Sequence, residues 1–252
     1  MAKVDTQTFD GKCALITGAA KRIGAAITER LHQTGVSVAI HYRNSATNAK
    51  KLCNRLNDTR PGSAEIFAAN LNDTASLDNL VKSVIDWGGG LDILINNASS
   101  FYPTPIGTIS ESQWDDLLGS NLKAPLFLSQ AAWPHLKSKR GVIINMLDIH
   151  SRQPVRDHSV YAAAKAGLSI LTCSLAKDMA PEVRVNGIAP GAILWPEKGM
   201  TKSIKKNIVR QIPLKRPGNP SDIADCVLYL ARDADYVTGQ IISVDGGRSI
   251  GW

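Results

Sequence analysis

Cys13-Ala-Leu-Ile-Thr17-Gly18-Ala-Ala-Lys21-Arg22-Ile23-Gly24 decides how this chain folds. An unbroken apolar run passes into a glycine-bearing turn, and a helical pattern follows to about Thr34, where Gly35 stops it. A short apolar run bounded by turn residues reads as a buried strand, and strand–turn–helix order opens a βαβ unit. Val36-Ser-Val-Ala-Ile-His41 is the next strand. The alternation continues with strands near 64–69, 92–96, 141–146 and 183–188, and helical stretches near 45–58, 73–86, 111–137 and 157–180. A helix over 222–232 and a closing strand over 240–244 complete it. Strands that alternate with helices pair in parallel through right-handed crossovers. The reading is an α/β protein: a single Rossmann-type doubly wound domain over 1–252, with a central parallel sheet and helices on both faces. No linker, repeat or low-complexity segment divides the chain.

With 252 residues, 44% of them hydrophobic and 20% charged, the chain is long enough to bury a large core. The net charge of +7 is scattered, apart from a basic cluster between Lys198 and Arg216. Two readings follow: a solvated basic surface, or attraction of an anionic cofactor or substrate. No basic stripe is interleaved with aromatics, which speaks against nucleic acid as a partner. The four cysteines, Cys13, Cys53, Cys173 and Cys226, form no C-x-x-C, so neither a disulfide framework nor a metal site is expected. No leader-like segment opens the sequence and no run approaches ~18 apolar residues, which predicts a cytoplasmic protein with no membrane partner.

A glycine-rich turn between a first strand and a first helix lets the backbone approach a pyrophosphate at the helix N-terminus. Arg22 stands where a middle glycine is common. A cation at a helix N-terminus opposes the helix dipole unless an anion or polar ligand compensates, so Arg22 reads as a pyrophosphate or substrate contact. The second strand ends His41-Tyr42-Arg43-Asn44-Ser45. A site for NAD(H) usually carries Asp or Glu there, on the ribose 2′-hydroxyl. This pentad has no acid, and its cation and small polar groups suit a 2′-phosphate, so NADP(H) is expected.

Asp92-Ile-Leu-Ile-Asn96-Asn97-Ala98-Ser99-Ser100 is a buried strand passing into small polar residues, followed by Phe101-Tyr-Pro-Thr-Pro105. Two close prolines hold that loop extended. Phe101 either stacks on a flat heterocycle or packs under its own loop. The next strand ends in Asp148, thirteen residues before Tyr161. Tyr161 and Lys165 are four apart on a predicted helix and share a face. A cation about 4 Å from the phenol, at an effective dielectric of ~20, would lower the phenol's pKa by about 3 units. An ionised Asp148 would oppose that, unless it is protonated or pairs with a cationic or amino-bearing substrate.

Together these residues resemble the short-chain dehydrogenase/reductase family, through Thr17-Gly18 to Gly24, Asn96-Asn-Ala98, Asn121, Tyr161-x-x-x-Lys165, Pro190-Gly191 and Asp245-Gly-Gly247. Within it the sequence is most similar to pteridine reductases, in the Gly-Ala-Ala-Lys-Arg-Ile-Gly loop, His41-Tyr42, Asn97 to Pro105, and Asp148 where the wider family has a serine. The resemblance implies an NADPH-dependent reductase delivering hydride to a C=N bond of a dihydropterin. Tyr161 would be the proton donor, and Lys165 would hold the nicotinamide ribose. Asp148 would replace the serine, and Asn121 would anchor a water. Gly18, Lys21, Arg22, Ile23 and Gly24 would cradle the pyrophosphate. His41, Tyr42, Arg43, Asn44 and Ser45 would take the 2′-phosphate, and Asn70 and Leu71 the adenine. Asn97, Ala98, Ser99, Pro190 and Gly191 would complete the cofactor site. Arg22, Ser99, Phe101, Asp148, Tyr161 and Trp195 would meet the pterin. A threonine frequent after Pro190-Gly191 is replaced by Ile193-Leu-Trp195. Segment 192–216 would cap the site, and family members are usually homotetramers. A ketone or 3-oxoacyl reductase of the same family, and a non-catalytic NADP-binding sensor, are the alternatives.

Overall fold

Every side chain of Cys13–Ile16, Ile93–Asn96 and Val142–Met146 is buried. Such unbroken apolar runs suit central parallel strands covered on both faces. The computed structural model describes residues 9–195 and 201–250. Strands β1 (Cys13–Ile16), β2 (Ser37–Tyr42), β3 (Ala64–Ala68), β4 (Ile93–Asn96), β5 (Val142–Met146), β6 (Arg184–Pro190) and β7 (Ile241–Val244) form one sheet. Its order is β3-β2-β1-β4-β5-β6-β7, and every neighbouring pair is parallel. The doubly wound α/β architecture expected from the sequence is therefore present.

The helices are α1 (Arg22–His32), α2 (Ala46–Thr59), α3 (Leu77–Gly88), α4 (Glu111–Leu118), α5 (Ala124–Lys139), α6 (Ser159–Asp178), α7 (Lys202–Gln211) and α8 (Pro220–Arg232). Strand residues point alternately to the two faces. Ala14, Ile16, Ile93, Ile95 and Ile144 meet Ile27 and Leu31 of α1 and Val227 of α8. Leu15, Leu94 and Ile143 meet Val84 of α3, Leu128 and Leu136 of α5 and Leu175 of α6. Each fully buried Leu or Ile contributes on the order of 2 kcal/mol.

Two elements differ from the sequence reading. The stretch read as one helix over 111–137 is interrupted by a π-helical turn, Gly119–Lys123, between α4 and α5. Asn121 sits in that turn, fully buried, and its Nδ2 donates to Leu117 O and Ser100 O, both at 2.9 Å. Competition of a side-chain amide for helix carbonyls is a local cause of such a bulge. Helix α6 is also long and apolar enough, at mean hydropathy 1.3, to meet the length and composition of a membrane span, against the expectation. Half of that window is buried, and α6 packs along the sheet through Leu168, Thr172 and Leu175.

The chain reverses direction across the sheet between β1 and β4, which opens a crevice at the carboxyl ends of those strands. Thr17 Oγ1 accepts from the N–H groups of Asn97 (2.8 Å) and Ala98 (2.9 Å), and Asn97 Nδ2 donates to Thr17 O at 2.8 Å. Gly24 closes this seam. A Cβ added there would lie 2.7 Å from Asn97 Nδ2 and collide with the Gly18 carbonyl. Gly24→Ala is expected to push α1 off the seam, costing about 2 kcal/mol and lowering the melting temperature by ~5 °C. A thermal melt that matches the parent would refute this packing argument.

Candidate active site

A cleft of about 420 Å³ opens over the carboxyl ends of β1, β2 and β4. One wall is the turn into α1, with Gly18, Lys21, Arg22, Ile23 and Gly24. Gly18 has φ +61°, and a Cβ there would stand 3.0 Å from Ala98 Cα, so only glycine leaves the cradle open. The N-cap of α1, Lys21, provides no side-chain cap, and no acid occupies the first turn. The orphan N–H groups of that helix end are therefore matched to an anion. Arg22 carries φ +55°, in the left-handed region that costs a non-glycine residue about 1 kcal/mol. Strain of this kind collects at ligand sites. Its guanidinium donates to Leu194 O at 3.4 Å, bridging the turn to the loop after β6.

The opposite wall carries His41–Ser45, then Asn70 and Leu71, then Asn97, Ala98 and Ser99. Asn44 and Ser45 lead into α2, whose N-terminus has neither a side-chain cap nor an acid in its first turn. Arg43 approaches Asp116 of α4, Nη1 to Oδ1 at 3.9 Å. His41 reaches the cleft but does not fit the phosphate role. It is buried, its Nδ1 accepts from Gly18 N–H at 3.1 Å, and its Nε2 lies 3.2 Å from Ala69 O. Burial lowers its pKa to about 4, so it is a neutral brace between β1, β2 and β3 and no cation. Ala20, Asn72, Ser100 and Ser120 also line the cleft. The sequence reading gave them no role: Ala20 and Ser100 sit inside quoted motifs, and Asn72 and Ser120 lie next to Leu71 and Asn121.

The residues expected to be catalytic lie beside this cleft. Tyr161 Oη donates to Asp148 Oδ2 at 2.8 Å, while Asp148 Oδ1 accepts from His150 N–H at 2.9 Å. Lys165 is buried and donates through Nζ to Met146 O at 2.7 Å, 5.8 Å from the centroid of the Tyr161 ring. The expected depression of the phenol's pKa is overturned. Burial first, then the Asp148 charge and its hydrogen bond, push Tyr161 well above the ordinary phenol range. Burial lowers Lys165 to about 8, against the Asp148 charge, which supports the ammonium. Tyr161 thus keeps its proton at neutral pH and is equipped to give it. Asn121 Oδ1 is buried without a hydrogen-bond partner among the described residues. Such an orphan acceptor calls for a water or a ligand hydroxyl.

Phe101 is half exposed; one face stacks on His158, with centroids 4.6 Å apart, and it meets Tyr161 edge-on at 4.8 Å. Ser99 is exposed next to it. Pro190 and Gly191 lie at the end of β6, where Gly191 N–H donates to Val244 O at 3.0 Å and Asp245 packs closely. They do not line the cleft. Trp195 lies 5.8 Å under the Lys205 ammonium of α7, which makes it a support of that helix. Of the expected cap, 196–200, including Lys198, lies outside the described residues; α7 buries no side chain.

The cradle, the uncapped helix ends and the orphan Asn121 acceptor fit a nicotinamide dinucleotide. Comparison with known proteins agrees with that geometry. Residues 18–249 match the family described as Enoyl-(Acyl carrier protein) reductase. Pteridine reductase 1 of Leishmania tarentolae is 36% identical, over 94% of this chain and 96% of its own length. The 3-oxoacyl-[acyl-carrier-protein] reductase FabG of Staphylococcus aureus (strain Mu50) is 35% identical, over 94% and 97%. Its counterpart from Thermotoga maritima is 34% identical, over 96% and 99%. The chain belongs to the short-chain dehydrogenase/reductase family and is an oxidoreductase that works with a nicotinamide cofactor.

Proposed function

We propose that the protein is an NADPH-dependent pteridine reductase that reduces a C=N bond of a dihydropterin to the tetrahydro form. The observation that carries this reading is the 2.8 Å hydrogen bond from Tyr161 to Asp148, beside the half-exposed ring of Phe101. A carboxylate already accepting on both oxygens is a poor match for a ketone, which offers only another acceptor. It matches a ring bearing N–H and amino donors. A flat bicycle over Phe101 would lie against the edge of Tyr161, and such alignment contributes strongly to rate.

NADPH held in this cleft would supply the hydride for the carbon of the C=N bond. Tyr161 returns a proton to the adjacent ring nitrogen, directly or through one water. Lys165 would hold the cofactor ribose, and it keeps positive charge beside the phenol as it gives up its proton. Asp148 takes substrate N–H groups and fixes the Tyr161 hydroxyl. Arg43, Asn44 and Ser45 favour the 2′-phosphate of NADPH, since no acid stands at the end of β2. The 34–35% identity to 3-oxoacyl reductases keeps a ketoreductase as the second reading.

The deciding experiment is steady-state turnover of dihydrobiopterin, dihydromonapterin and dihydrofolate beside acetoacetyl thioesters, each with NADPH. At least one pterin should exceed the thioesters in kcat/KM; the reverse order would establish the ketoreductase, and no turnover at all would favour a cofactor-binding sensor. In the same assay Asp148→Asn should lower kcat/KM by about 10²-fold, as for a lost proton-transfer partner. The pH profile carries a sign. Lys165 is cationic below about pH 8 and is supported by the Asp148 charge. Removing that charge lowers the lysine's pKa, so the alkaline limb of kcat/KM should move to lower pH. An unmoved limb would take Asp148 out of the proton path.

We further propose a homotetramer packed through α4, α5 and α6, where Trp114, Phe127 and Ile170 stay exposed in one chain. Light scattering that reads a monomer at micromolar concentration would overturn it.

A further inference from the structure

One carboxylate touches both halves of the site. Asp116, on α4, presents Oδ1 to the Arg43 guanidinium at 3.9 Å and accepts through Oδ2 from Tyr102 Oη at 3.1 Å. Arg43 lines the cofactor cleft at the end of β2. Tyr102 follows Phe101 in the extended loop expected to meet the substrate, and its single hydroxyl proton is shared between Asp116 Oδ2 and Gln113 O, the latter at 3.3 Å. The loop is also anchored by Thr104 N–H donating to Asp157 O at 2.5 Å and by Ser100 O accepting from Asn121 Nδ2 at 2.9 Å. Asp116 is one-third exposed and Arg43 half exposed, so both can move.

We propose that Asp116 is a positioning residue that couples cofactor choice to the substrate loop. In this structure the carboxylate is shared between Arg43 and Tyr102. A 2′-phosphate is a stronger partner for the guanidinium than a partly solvated carboxylate 3.9 Å away, since it offers bidentate, charge-assisted bonds. Arg43 then turns to the phosphate, and the undivided charge of Asp116 tightens its bond to Tyr102. The loop carrying Phe101 is held in place for the flat ring. A cofactor without the 2′-phosphate leaves Arg43 on Asp116 and the loop looser. Because such coupling is reciprocal, substrate in place should tighten the 2′-phosphorylated cofactor by the same factor. The pair is solvent-exposed, so the factor is modest, about threefold.

This inference rests on the NADP(H) reading, and its test separates the two. Amide hydrogen exchange over residues 99–105 is compared for the full chain alone, with adenosine 2′,5′-bisphosphate, and with 5′-AMP, while calorimetry on the same samples reports binding. The bisphosphate should slow exchange of the Tyr102 and Thr104 amides about threefold in the parent, and 5′-AMP should not. Asp116→Asn keeps an acceptor for Tyr102 but no charge for Arg43, and Tyr102→Phe keeps the ion pair but not the tether. Both variants should bind the bisphosphate and lose the protection. Protection that persists in Asp116→Asn, or is equal for both nucleotides, overturns the coupling while NADP(H) stands. Failure of the parent to bind the bisphosphate better than 5′-AMP overturns the cofactor reading and the coupling together.

Discussion

A buried ammonium sets the terms of this structure. Lys165 is almost wholly removed from water, and its Nζ donates to the Met146 carbonyl at 2.7 Å. Leaving a cation in the interior without a partner is far costlier than any surface arrangement, so the end of β5 and the first turns of α6 cannot separate. That fixes where the strand stops, and two residues on it delivers Asp148 to the Tyr161 hydroxyl. A polar ladder below reinforces the same joint. Asn96 of β4 donates to Asn145 Oδ1 at 2.8 Å, and Asn145 donates to Thr172 Oγ1 of α6 at 3.0 Å. All three side chains are buried, so the ladder ties β4, β5 and α6 by bonds that cannot be exchanged for water.

Electrostatics at the centre runs against a simple reading of a tyrosine four residues before a lysine. Proximity of an ammonium lowers a phenol's pKa only if solvent access and other charges stay equal. Here burial disfavours the phenolate first, and the Asp148 carboxylate adds to it. The result is a tyrosine committed to its proton until a developing charge on the substrate draws it off. This suits reduction better than oxidation. Lys165, depressed to about 8 by burial, is poised at the edge of losing its own charge, and Asp148 is what retains it.

Periodicity and turn chemistry made the sheet legible. Each β-strand window in the sequence overlaps an observed strand; β2 runs one residue past its window to Tyr42, and β6 runs two past, through Pro190, where pairing to β7 continues. The tight turn from β1 into α1 was equally plain, because Gly18 and Gly24 carry constraints that no other residue meets. Three things were hidden. The π-helical turn at Asn121 depends on a side chain competing for carbonyls brought near by the loop at Ser100, a tertiary effect with no local period. His41 stands in a polar pentad and looks like a phosphate ligand, yet the fold buries its ring between the Gly18 amide and the Ala69 carbonyl. The partner of Lys165 is a backbone oxygen nineteen residues away, which no side-chain motif encodes.

The proposed substrate rests most on the atom type at position 148. A hydroxyl there both donates and accepts, so it can steady the oxygen of a ketone as negative charge grows on it. A carboxylate accepts only, and it repels such an oxygen. Under the proposed function it would favour a substrate that arrives with N–H groups of its own and becomes more basic as hydride is added. In this chain both oxygens are already directed, one to His150 N–H and one to the Tyr161 hydroxyl, with the face of Phe101 not covered by His158 alongside. A ketone entering this site would compete with Asp148 for the Tyr161 proton and face the carboxylate charge. A reduced bicyclic ring with amino and ring N–H donors meets neither obstacle, which is why Asp148 weighs more in the functional reading than near-equal identities to two kinds of reductase.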